Sequence, residues 1–223
     1  MIDKTCESLE AAVADVHDGA TVMIGGFGNA GLPAALIDAL IAQGARELTS
    51  VNNNAGNGDT GPAGLLKAKR VRKIICSFPR QSDSHVFDAL YRAGEIELEL
   101  APQGSLAERI RAAGAGIGGF FTPTGLGTLL AEGKETRLID GRHYVLESPI
   151  HADFALIKAL HGDRWGNLVY RKAARNFGPI MATAAKCTIA QVAEVVPLGV
   201  LDPEVIVTPG IFVQRVVHQG NGK

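Results

Sequence analysis

The sequence predicts an α/β fold, a mostly parallel sheet flanked by helices in a layered arrangement. Two observations predict it. Short apolar runs alternate with amphipathic ones along the chain, the signature of stacked strands and helices. The 223 residues are 46% hydrophobic and 20% charged, enough to bury a core of their own. Glycine and proline, 27 and 10 residues, make the chain turn-rich without reaching the share typical of low-complexity segments. Neither an internal repeat nor a linker-like run interrupts it, so one domain over residues 1–223 is expected.

Each element follows from local chemistry. A first helix is expected over residues 8–16, ending at Asp18-Gly19, before Thr21-Val22-Met23-Ile24 as a buried strand. Pro33 opens a helix that runs to Gln43 and is closed by Gly44. A strand over 47–51 leads into Asn52-Asn53-Asn54, whose side chains favour a loop. Residues 73–77 form a third strand, followed by a helix that starts near Ser82 and stops at Gly94. Glu95-Ile96-Glu97-Leu98-Glu99-Leu100 alternates strictly, which places it near a sheet edge with one wet face. Ser105-Leu106-Ala107-Glu108 has the spacing of a capping box, for a helix ending at Gly114. Further strands are expected at 144–146, 154–157, 168–170, 188–192 and 205–207.

Composition also limits function. A net charge of −1 and a pI of about 6.6 lack the basic excess of a general nucleic-acid or anionic-membrane binder. Cys6, Cys76 and Cys187 are far apart, and the opening Met1-Ile2-Asp3-Lys4 has no secretory pattern; a reduced, cytoplasmic protein is expected. Residues 19–37 and 112–131 carry no charge over about a bilayer's length. Their glycines and prolines break helices, so they point instead to backbone lying close to other backbone or to a ligand.

The first of these stretches contains Gly26-Phe27-Gly28-Asn29-Ala30-Gly31, which fits the dinucleotide fingerprint GxGxxG after a strand. An NAD-binding Rossmann oxidoreductase is therefore one alternative. That motif needs an acid about 20 residues on to hold a ribose hydroxyl, and the matching place holds Asn52-Asn53-Asn54. Gly25, Gly26, Gly28 and Gly31 exceed what one tight turn requires. Removing side chains admits ligand oxygens, anionic or carbonyl, to backbone N–H groups at a helix N-terminus.

Other chemistries fit less well. Ser82-Asp83-Ser84-His85 brings triad residue types together, but adjacent residues do not form a triad; a helix start is the better reading. The six histidines lack metal-ligand spacing, so no metal is expected. Trp165 stands beside a turn and reads as packing rather than a nucleic-acid platform.

The run from Asp18 to Pro33, Asp-Gly-Ala-Thr-Val-Met-Ile-Gly-Gly-Phe-Gly-Asn-Ala-Gly-Leu-Pro, resembles the glycine-loop signature of the A subunit in the 3-oxoacid CoA-transferases. Further blocks resemble the same family in the same order: Val51 to Gly56, Pro102 to Arg109, Phe121 to Gly125, and Arg171 to Phe177. Within the family, Asn52 to Gly58 and Cys76 to Phe87 are similar to members acting on 3-oxoadipate rather than acetoacetate; the acetoacetate type stays as the alternative. Gly118-Gly119-Phe120 departs from the pattern, where a small residue other than glycine is expected before the aromatic pair.

The resemblance implies an α/β sheet flanked by helices, and coenzyme A as co-substrate with no permanently bound cofactor. It implies contact with CoA through Gly25, Gly26, Phe27, Gly28, Asn29, Ala30 and Gly31. It also implies covalent catalysis: a glutamate attacks an acyl-CoA thioester, forming a mixed anhydride and free CoA thiolate, and the thiolate then attacks the enzyme carbonyl of the anhydride to give a glutamyl-CoA thioester and release the first carboxylic acid. The family's nucleophile lies in a Ser-Glu-Asn-Gly motif of the B subunit, and no such string occurs here. No catalytic residue is thus expected in this chain; Glu132, Glu135 and Glu147 read as solvated surface residues. A hetero-oligomer of two A and two B chains is implied, moving CoA from succinyl-CoA to a 3-oxo acid in aromatic-compound catabolism.

Four substrate-site residues stand out. Gln103, between Pro102 and Gly104, has an amide that donates and accepts at once. Asn52 and Asn53 follow the carboxyl end of a strand, where ligands gather in open α/β sheets; Asx turns are the equally weighted reading. Arg80 offers a guanidinium to a second substrate carboxylate, or else pairs with Asp83 or Asp88. Gln103 and the Phe121-Thr122-Pro123 segment would complete a site whose nucleophile belongs to another polypeptide. A non-enzymatic sensor module is the remaining rival, but the chain has no basic arm to serve one.

Overall fold

The computed structural model describes residues 2–220; Met1, part of the opening read above, lies outside the described residues. The expected layered α/β architecture forms. Its first half runs α1 (Leu9–Val13), β1 (Thr21–Ile24), α2 (Ala34–Gln43), β2 (Leu48–Val51), α3 (Gly61–Lys67), β3 (Val71–Cys76), α4 (His85–Arg92), β4 (Glu97–Leu100) and α5 (Gln103–Gly114). The second half runs β5 (Phe120–Thr122), β6 (Thr136–Ile139), β7 (Arg142–Glu147), β8 (Ala152–Asp163), β9 (Leu168–Val169), α6 (Gly178–Ala184), β10 (Ala185–Val196) and β11 (Arg215–His218).

The main sheet has the order β11-β10-β8-β1-β2-β3-β4, all neighbours parallel, with β9 antiparallel on β8. Strand alternation sends successive side chains into two cores. Val22, Ile24, Ile74 and Leu156 pack beneath α1–α4 with Leu36, Leu40, Leu65 and Phe87. Met23, Ile75, Ala155 and Ile157 face α5 and α6, against Leu106, Ile110 and Met181. A helix layer on each face explains why β1 is apolar at Val22, Met23 and Ile24 alike. β5, β7 and β6 form a separate antiparallel sheet.

β4 sits at the sheet edge, as its alternation predicts. Its wet face is a ladder of charges rather than open water. Lys73 bridges Glu97 and Glu99 at 2.9 and 2.8 Å, and Arg109 of α5 reaches Glu99 at 3.0 Å. Arg109 also lies 3.6 Å from Glu147, which takes Lys134 at 2.7 Å. Glu147 is only 3% exposed, which corrects its reading as a solvated residue; Glu135 does face solvent, paired with Arg137. Burial works against the Glu99 carboxylate, but hydrogen bonds from Lys73 and Arg109 outweigh it and hold the carboxyl below its ordinary range.

Two further expectations need correction. The capping box at Ser105 does not form: α5 begins at Gln103, Leu106 N donates to Pro102 O at 2.8 Å, and Ser105 lies buried inside the helix while Glu108 pairs with Arg111. Pro102 sets the start because a helix admits proline only at its boundary. Residues 205–207 form no strand. Pro203 opens a short 3-10 turn there, and pairing shrinks to a bridge between Leu168 and Thr208.

Ser84, not Ser82, precedes α4, and the Ser82–His85 string is a helix start as expected, with His85 Nδ1 2.8 Å from Asp83. The glycine-rich stretch 112–131 includes one close backbone approach: a Cβ on Gly114 would run into Thr183 of α6. Among the described residues no helix is long and apolar enough to cross a membrane.

Candidate active site

β1 is flanked by β2 on one side and β8 on the other, so the chain turns away from it in both directions. Ligands of open α/β sheets bind beyond the carboxyl ends of strands at such a point. The glycine loop stands there. Phe27 N donates to Ala30 O at 3.0 Å and Ala30 N to Phe27 O at 3.2 Å, closing a tight turn with the Phe27 ring 53% exposed.

A cleft of ≈ 460 Å³ opens on one side of the loop, lined by Gly25, Gly26, Gly28 and Asn29 together with Asn52, Asn53, Gln81 and Ser82. The structure therefore brings most of the sequence-predicted residues to one place. Phe27 and Gln103 line an adjoining depression of ≈ 340 Å³ with Asn176 and Phe177. Ala30 and Gly31 face the opposite side of the loop. The Phe121-Thr122-Pro123 segment belongs to β5 and the turn after it, and lines none of these three openings.

The amides are organised unequally. Asn53 Oδ1 accepts from Ser77 Oγ at 2.7 Å and from Gln103 Nε2 at 2.8 Å. With its oxygen doubly occupied, Asn53 has Nδ2 left to donate, and Gln103 has Oε1 left to accept. Asn52 is committed inward: its Oδ1 accepts from Ser50 Oγ at 2.6 Å and its Nδ2 donates to Asn54 O. Arg80 Nε donates to Asp88 Oδ1 at 2.6 Å, the pairing given above as its alternative; its neighbours Gln81 and Ser82 enter the cleft, and Arg80 itself stands outside the lining.

All the polar side chains lining the cleft are neutral amides and hydroxyls. Cys76, at the end of β3, is no nucleophile: burial pushes its thiol up to about 12. Three residues to which sequence reasoning gave no role brace the loop, the helix after it and the neighbouring amides. Asn176 Nδ2 donates to Ala30 O at 2.9 Å. Gln191, 2% exposed on β10, accepts from Leu36 N at 3.1 Å, so the first turn of α2 is capped from within rather than free for a ligand. Ser77 fixes Asn53. Gln191 had a signal, as an amide set between Ile189-Ala190 and Val192 in a run expected to be a buried strand.

The glycines divide by what surrounds them. A Cβ on Gly31, at φ +76°, would lie 2.6 Å from Ala174 O, whereas one on Gly28, at φ +56°, would meet nothing within 4 Å. Gly31→Ala is expected to destabilise the fold by about 2–4 kcal/mol, from a backbone clash added to left-handed strain. Gly28→Val is expected to cost about 1–2 kcal/mol yet to slow severely any reaction whose substrate enters the cleft. Thermal unfolding and steady-state rates separate the two; a folded Gly28→Val variant with normal kinetics would reduce these glycines to a turn.

A cleft lined by neutral amides and hydroxyls beside a glycine-rich loop, beyond the carboxyl ends of a mostly parallel sheet, defines a layered α/β protein with its candidate site at the point where the sheet order reverses. The chain belongs to the coenzyme A transferase family, whose model matches residues 6–219. It is 73% identical over 217 residues to the A subunit of 3-oxoadipate CoA-transferase from Pseudomonas putida, covering 97% of this chain and 94% of that one. The corresponding subunit of Acinetobacter baylyi is 70% identical over 217 residues, covering 97% and 95%. In fold, the chain is similar to an acyl-CoA transferase from E. coli O157:H7 solved as a thioester complex with CoA, with a TM-score of 0.86 and 23% identity. That likeness covers 99% of this chain but 48% of the other, so the chain spans about half the length of that protein.

Family membership overturns the dinucleotide-binding alternative. The loop that suggested it closes on itself between Phe27 and Ala30, and the ribose position holds the inward-turned Asn52.

Proposed function

We propose that this chain is the A subunit of a heteromeric CoA-transferase that moves CoA from succinyl-CoA to 3-oxoadipate, as one domain in a cytoplasmic complex of two A and two B chains. The observation that carries the reading is its near-full-length similarity to 3-oxoadipate CoA-transferase A subunits. CoA is a co-substrate held against Gly25–Gly31. Gln103 and Asn53 work as a pair, Asn53 Nδ2 donating to the substrate carbonyl and Gln103 Oε1 accepting from an amide of the pantetheine arm. Asn52 shapes the cleft through its inward hydrogen bonds. The carboxylate nucleophile comes from the B subunit.

Selection of 3-oxoadipate over acetoacetate requires a cation at the far end of the substrate, and Arg80 is the guanidinium beside the cleft wall at Gln81 and Ser82. A hydrogen bond to a charged group is worth roughly 1.5–3 kcal/mol. In the enzyme assembled from this chain and its partner, Arg80→Ala is expected to lower kcat/KM for 3-oxoadipate by about 10- to 150-fold, with far less effect on acetoacetate. Equal losses on both acids would confine Arg80 to its pairing with Asp88. An assembled enzyme that prefers acetoacetate would overturn the assignment to 3-oxoadipate.

A further inference from the structure

Phe78 stands on the part of the cleft wall contributed by the loops after β2 and β3. Among the described residues it is the sole aromatic side chain of that lining, and 60% of it is exposed. Phe27 lines the adjoining depression instead. The backbone imposes the position of the Phe78 ring. Phe78 N donates to Asn53 O at 3.2 Å, Ser77 N donates to the same oxygen at 3.1 Å, and Asn54 pairs with Phe78 in a parallel bridge. Further along, Gly58 N donates to Asp83 O at 2.8 Å, which ties the two loops together a second time. Pro79 confines the backbone of Phe78 to extended conformations. The ring is thus fixed where it gains little burial from this chain. The polar groups of the same lining, Asn53, Asn57, Gln81 and Ser82, hold water by hydrogen bonds.

We propose that Phe78 is a water-excluding lip: once substrate fills the cleft, its ring lies over the reacting acyl group and keeps water from the covalent intermediates. The inference rests on the CoA-transferase reading given above. That chemistry passes through a mixed anhydride and a glutamyl-CoA thioester, and water can cleave both. In the competing step the oxygen of water bonds to the thioester carbonyl carbon and the C–S bond breaks. One proton goes to the departing CoA sulfur and the other to solvent, which leaves the glutamate as a free carboxylate. Each such event replaces a transfer by a hydrolysis. Amides and hydroxyls do not prevent it, because they bind water, whereas an aromatic face displaces it. The partner subunit is the competing neighbour of the ring. Two observations favour the reacting group: Phe78 lines the cleft itself, and its backbone is bonded to Asn53, the amide assigned above to the substrate carbonyl.

The test uses the enzyme assembled from both subunits, loaded with succinyl-CoA and freed of succinate, so that only the glutamyl-CoA thioester remains. Its decay in buffer is followed as released CoA thiol, and transfer to 3-oxoadipate is measured beside it. Phe78→Ala is expected to speed the decay about 10-fold. Phe78→Leu, which restores apolar bulk, should bring it back toward the wild-type rate. Both variants should keep the wild-type melting temperature, because the ring is exposed in this chain. An unchanged decay in Phe78→Ala would overturn the proposal, whatever the rate of transfer. Unchanged decay together with weakened association of the two subunits would also assign the ring to the partner. A wild-type assembly that forms no glutamyl-CoA thioester would end the functional reading, and the proposal with it. The wild-type measurement thus tests that reading, and the variants test the lip.

Discussion

Purified without its partner, the chain is expected to transfer no measurable CoA from succinyl-CoA to 3-oxoadipate, and to gain full activity when a glutamate-bearing B subunit is added. The chemistry requires a carboxylate that can attack a thioester and later release it. The side chains lining the cleft at the glycine loop are neutral, and the nearby Cys76 thiol is held out of reach by burial. Glu147, the most enclosed of the candidate glutamates, is tied to Lys134 and Arg109 and does not line the cleft. The difference should span the whole catalytic effect. A clean preparation of this chain alone that turns over substrate would end the split-site reading, and mass-spectrometric trapping of a glutamyl-CoA thioester would show which chain carries it.

The largest effect on stability is expected at Arg109. Its side chain, 12% exposed, lies between Glu99 and Glu147 and also donates to Ser148 O at 2.7 Å. Arg109→Leu leaves the enclosed Glu147 with Lys134 alone, and breaking a buried pair typically costs about 3–5 kcal/mol. For a chain of this size that lowers the melting temperature by about 6–20 °C. The same network makes stability depend on acid. Glu99 titrates below its unfolded value, so its contribution is complete above the ordinary glutamate pKa of about 4.3. It is lost as the pH falls through the lowered native value. Denaturant melts of wild type and Arg109→Leu from neutral to acid pH should therefore converge at the acid end. A loss under about 1 kcal/mol at neutral pH would mean that the network behaves as ordinary surface pairs.

Much of this molecule could be read from its sequence, and the exceptions share physical causes. β1, α2 and the edge position of β4 follow from local signals alone: an apolar run, Pro33 with Gly44, and the alternation of residues 95–100. Helices α3 and α6 were not anticipated because each starts with Gly-Pro, at Gly61-Pro62 and Gly178-Pro179. Proline in a first helical turn removes only an N–H that would lack a partner anyway, so the same dipeptide that reads as a breaker also opens helices. Ser105 shows the reverse error, a capping spacing overruled by Pro102 a few residues earlier. That Asn52, Asn53 and most of the glycine loop line one cleft was legible because they follow strand ends. The hold of Gln191 on α2, and of Asn176 on Ala30, was not, because each joins segments far apart in sequence.

Those long-range ties also set the order in which the protein can be made. β1 leaves the ribosome early, but its partner β8 begins at Ala152, and the bond from Asn176 to Ala30 spans 146 residues. Until that later segment emerges, the nascent chain holds a strand with one bare hydrogen-bonding edge and a loop without its clamp. At about 5–20 residues per second the interval lasts on the order of ten seconds. During it the unpaired strand is open to pairing with a neighbouring chain. Synthesis conditions that shorten this exposure, or a chaperone that covers the edge, should raise the yield of assembled protein more than any change in the finished site.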